Sequence, residues 1–149
     1  MNSLFSKEHV EALIERIQQL TPEHQAQWGK MNVSQMLAHC SSTMEVARDQ
    51  KHLKRMMIGY LLGGLLKKHF YNDSPVKKNN PTHPYFVHTD TNELEVEKEH
   101  LINHLRSFQE GGTTKCTKQS HAFFGKLTEE QWAMGMYKHT SHHLEQFGV

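Results

Sequence analysis

A chain of 149 residues fits one domain, residues 1–149, and 36% hydrophobic with 22% charged residues points to a folded globule rather than a disordered segment. A formal charge of +1 argues against a dedicated nucleic-acid binder, which needs a basic face strong enough to displace counterions. Cys40 and Cys116 are too few and too far apart for a disulfide framework, and the first residues lack the charged-then-apolar pattern of an export signal, so a reducing cytoplasm is the expected location.

The first predicted helix carries Val10, Leu13, Ile14, Ile17 and Leu20 on one stripe, with Ser6 as its N-cap and Thr21-Pro22 as its stop. The second begins at Asn32 and aligns Val33, Met36, Leu37, Cys40, Met44 and Ala47. Next comes an apolar run from Met56 to Leu66 between Lys54-Arg55 and Lys67-Lys68, too short to span a bilayer, which takes about 20 apolar residues. Its Gly59 and Gly63 form a spacing that admits a second backbone. The leading reading is a short helix packed on the rest of the domain or on a second subunit; a membrane-surface helix is the lesser one.

A loop from Asn72 to Asp90 with Pro75, Pro81 and Pro84 follows, long enough to be a lid or a crossover. The third strong helix runs from about Asn92 to Glu110, with Leu94, Leu101, Leu105 and Phe108 inward and Gly111-Gly112 at its end. The last starts at Thr128, where Thr128 and Gln131 make a capping box, and continues to Gly148. No strand pattern or fixed repeat is present. The expected fold is all-α: a four-helix bundle with an additional short helix and a long loop between its second and third helices.

Histidine is the outlier, with 13 in the chain. On the last helix, taking Trp132 as zero and about 100° per residue, Met136 lies near 40°, His139 near 340°, His143 near 20° and Phe147 near 60°. His139 and His143 therefore share the stripe that faces the core, at the spacing of a helical zinc motif. Chance alone supplies about one such pair in a chain this rich in histidine, and His100 and His104 make a second. The inward direction is what distinguishes His139 and His143, because buried imidazoles need partners: either a metal or buried polar groups. His39, at the border of the second helix's apolar arc, is the candidate third ligand, and on spacing alone is as readily a half-buried polar residue. Cys40 reads as a buried structural thiol.

Met36-Leu37-Ala38-His39-Cys40 on a second helix, followed by His139-Thr140-Ser141-His142-His143 on a final one, resembles the DinB/YfiT-like superfamily. The phrases His121-Ala122-Phe123-Phe124-Gly125 and Tyr137 to Gly148 are similar to a subfamily of unknown function within it. The resemblance implies a four-helix bundle holding one divalent metal ion, zinc or nickel foremost, through His39, His139 and His143, and commonly a homodimer. Relatives include enzymes that use low-molecular-weight thiols as S-transferases or isomerases. A metal-dependent enzyme, a thiol-dependent transferase or a hydrolase, is thus the leading expectation, with Tyr137, His142 and His121 as candidate general bases. The alternative is a non-catalytic, dimeric interaction protein.

Overall fold

The computed structural model describes residues 2–72 and 74–149. It is helical: α1 (Lys7–Gln19), α2 (Val33–Ala47), α3 (Met57–Phe70), α4 (Leu94–Lys115) and α5 (Glu129–Gln146), with a short 3-10 turn at Pro84–Phe86. Among the described residues there is no strand, only an isolated bridge between His121 and Gly125.

Local chemistry sets the helix ends. The Ser6 hydroxyl accepts from the His9 amide to start α1. Asn32 with Gln35 and Thr128 with Gln131 form reciprocal capping boxes on α2 and α5, each satisfying two amides that would otherwise lack partners. The glycine pair expected to end α4 interrupts it instead: Gly112 adopts φ 52°, and a further turn continues to Lys115.

Four helices close a ring, α1 against α4, α4 against α2, α2 against α5, and α5 against α1. Their apolar stripes meet in one core that includes Leu13, Ile17, Met36, Leu37, Leu101, Leu105, Phe108 and Trp132. Each large side chain removed from water in this way contributes about 1.5–3 kcal/mol. Arg16 of α1 fastens the end of α5, donating to the Ser141 hydroxyl at 2.8 Å and to the Val149 carbonyl at 2.8 Å.

Helix α2 is covered on three sides, by α4, by α5 and by the 3-10 turn, so even His39, Ser41, Ser42 and Thr43 are buried. Ser42 and Thr43 compensate by donating to the carbonyls of His39 and Cys40 one turn back.

Helix α3 stands outside the ring. Its glycine face rests on the loop 121–125: a Cβ on Gly59 or Gly63 would collide with the Phe123 carbonyl oxygen. The Met56 amide donates to the Ala122 carbonyl at 2.8 Å, and Phe70 meets Phe124 at 5.1 Å between ring centres. The close backbone approach expected of this spacing is therefore made within the chain. No described helix is long and apolar enough to cross a membrane.

Candidate metal centre

Two helices and one loop bring His39, His139 and His143 together, with one ring nitrogen of each within 4.8 Å of the others. His139 and His143 sit one turn apart on α5. Their rings lie 4.6 Å from each other, and the His39 ring reaches across from α2 to 4.9 Å and 4.7 Å from them. His39 is 4% exposed, the deepest of the three. Its position at the edge of the α2 stripe is interior because the 3-10 turn covers that edge.

Hydrogen bonds decide which nitrogen each ring can offer. His39 Nδ1 lies 3.0 Å from the Phe86 carbonyl oxygen. A carbonyl only accepts, so Nδ1 carries the proton and Nε2 keeps its lone pair. On α5, Gln146 donates its amide nitrogen to the Trp28 carbonyl. That fixes its oxygen toward His143 Nδ1, 2.8 Å away, so this Nδ1 is also the protonated one. His39 Nε2 and His139 Nε2 face each other at 3.0 Å. The two bonds on the remote nitrogens are the outer contacts that metal-bound imidazoles ordinarily make. Nitrogens about 2.1 Å from a tetrahedral zinc stand about 3.4 Å apart, close to the spacing seen between His39 and His139. The donor set thus fits a divalent ion. His139 Nδ1 is buried without a hydrogen-bond partner among the described residues.

All three rings are neutral at physiological pH. Burial pushes His39 down to about 4, with the neighbouring His143 adding to the effect, and pushes His143 down to about 4. Burial and the same neighbours hold His139 well below the usual imidazole range. Neutral imidazole is the form that ligates metals.

The long loop forms one wall. Phe86 supplies both the carbonyl for His39 and a ring at 6.0 Å from it. The loop is anchored to α2 by Tyr85, whose hydroxyl donates to Glu45 at 2.6 Å, and by His88, 3.0 Å from the Ser42 hydroxyl. His83 caps the 3-10 turn by accepting from the Tyr85 amide.

The remaining candidates separate. His142 is half-buried, tilted against Trp28 and edge-on to His143 at 5.4 and 5.3 Å between ring centres. His121 lies beneath α5 against Trp132, and its Nδ1 accepts from the amides of Phe123 and Phe124, so that nitrogen is already used. Tyr137 turns elsewhere: its hydroxyl accepts from Asn2 and its ring meets His9. His104 pairs with Arg48. Cys40 is fully buried, and burial raises its thiol far above the ordinary range, as a structural thiol requires.

Sequence reasoning missed Gln146 and the Phe86 carbonyl. Gln146 had a signal, three residues after His143 on the same helix and hence beside it. The carbonyl had none, because any residue supplies one.

The chain belongs to the family described as Protein of unknown function (DUF1569), which matches residues 3–148. No curated protein and no solved structure matches it.

Proposed function

We propose that this DUF1569 protein is a metal-dependent enzyme on a DinB-like four-helix bundle, with His39, His139 and His143 holding one divalent ion, zinc or nickel. The supporting observation is the hydrogen bonding of the remote nitrogens. With Nδ1 of His39 and His143 committed to Phe86 and Gln146, each ring keeps its lone pair on Nε2, and one nitrogen of each of the three rings lies within 4.8 Å of the others.

When bound, such an ion supplies Lewis acidity that lowers the pKa of a small thiol or a water at its remaining open position. The chain's own residues do the rest. Phe86 and Gln146 hold two imidazoles in the ligating tautomer. Phe86 places its ring edge against His39, and Trp28 lies against the neighbouring His142. The donor set is three neutral imidazoles, so a bound dication keeps its full charge and favours an anionic thiolate or hydroxide nucleophile. A thiol-dependent S-transferase uses the first and a hydrolase the second.

Metal content of tag-free protein, measured by elemental mass spectrometry after incubation with zinc and nickel, tests the reading. Wild type is expected to retain about one ion per chain, and His39→Ala and His143→Ala to retain none. A wild type free of metal under those conditions would end the proposal.

A further inference from the structure

Helix α3 buries Gly59 and Gly63 and presents its bulk to solvent. Met57, Leu61 and Leu65 are 81%, 80% and 70% exposed, and Ile58, Tyr60, Leu62 and Leu66 extend the same surface. Seven large apolar side chains on one short helix form a contiguous patch of the kind that soluble surfaces rarely leave without a partner.

The charges around the patch identify the partner. Between Gln50 and Asn72 the chain carries Lys51, Lys54, Arg55, Lys67 and Lys68 and no acidic residue. The cations stand at both ends of the helix. Two copies packed α3 to α3, parallel or antiparallel, would therefore set cation against cation at each end. A surface of anionic lipid meets both requirements at once, taking the leucines into its acyl boundary and the lysines at its headgroups. The helix is suited to lie flat: 14 residues extend about 21 Å, its exposed side is the apolar one, and Tyr60 stands at the edge of the patch under the Arg55 guanidinium, 4.6 Å away. Interfacial tyrosines occupy such positions at headgroup level.

We infer that α3 docks this protein on anionic membrane surfaces, with the bundle and its histidines held on the aqueous side. The glycine face explains why the helix can do this without leaving the domain. Its seat on the loop 121–125, with Lys67 donating to the Lys126 carbonyl at 2.7 Å, holds the opposite face outward. This inference does not rest on the metal.

Co-sedimentation of the full chain with phosphatidylcholine vesicles, with and without about 30 mol% phosphatidylserine, tests it. Wild type is expected to bind the anionic vesicles at least about tenfold more tightly than the neutral ones. Leu61→Glu with Leu65→Glu, both at exposed positions, is expected to abolish that binding while helicity and histidine-dependent metal content stay unchanged. Lys54→Gln with Lys68→Gln should weaken it about 25-fold, from about a factor of five for each surface cation. No binding to the anionic vesicles, or equal binding by the glutamate variant, overturns the inference. A wild-type dimer that becomes monomeric in the glutamate variant, without vesicle binding by either, overturns it in favour of a second copy of the chain.

Discussion

His121 shows how one residue can be structural and still make the molecule sensitive to acid. Its Nδ1 accepts two amides at the turn that seats α3, and burial, reinforced by Arg55, depresses it to about 4. The unfolded chain protonates this ring near its ordinary pKa of about 6.5, whereas the folded chain resists until about pH 4. Between those values the unfolded state holds more protons, so stability is present in full above about pH 6.5 and falls as the pH drops toward 4. At pH 5 the loss from this one group reaches up to about 2 kcal/mol. His39 and His143 are depressed in the same direction and add to it. His121→Asn keeps an acceptor near the Nδ1 position and removes the titration. Urea midpoints at pH 7 and pH 5 should therefore differ less in the variant than in wild type. An equal difference would show that His121 does not drive the acid sensitivity.

Among the helices, α1, α2 and α5 were legible almost residue by residue, because amphipathic stripes and capping residues are local signals. Ser6, Asn32 and Thr128 cap as their chemistry predicts. His139 and His143 were legible for the same reason, as a pair on the stripe that Trp132 and Met136 define. His39 was ambiguous because the element that buries its edge of α2 is the turn at Pro84–Phe86, nearly fifty residues downstream and without periodicity of its own. The neighbour of α3 was equally hidden: a glycine spacing announces that a backbone will approach, not which one. Since that backbone belongs to Phe123, Gly63→Leu is expected to destabilise the monomer, by about 1–3 kcal/mol as overpacking does. A denaturant titration should show the loss at any protein concentration. A loss that vanishes on concentrating the protein would place the contact between copies instead.

At the scale of the whole molecule, the ring of four helices supplies a frame, and two segments pack on it from outside, α3 through the loop 121–125 and the loop 74–93 over α2. The loop is fastened to α2 through Tyr85, His88 and the Phe86 carbonyl, and that last fastening ends on a site histidine. Any ion that draws on His39 Nε2 keeps the proton on Nδ1, where it bonds Phe86. An ion on His39 Nε2 would polarise the Nδ1–H that bonds Phe86 and so favour the seated loop, and by reciprocity whatever factor the seated loop adds to ion affinity, the ion would return to the loop. Lys77 and Lys78 are exposed on this loop and offer trypsin a place to read that equilibrium. Zinc should slow cleavage there by about fivefold or more, and the His39→Ala chain should be cut at one rate with or without it. Protection of that kind would make the loop a gauge of the histidine cluster, readable before any substrate is known.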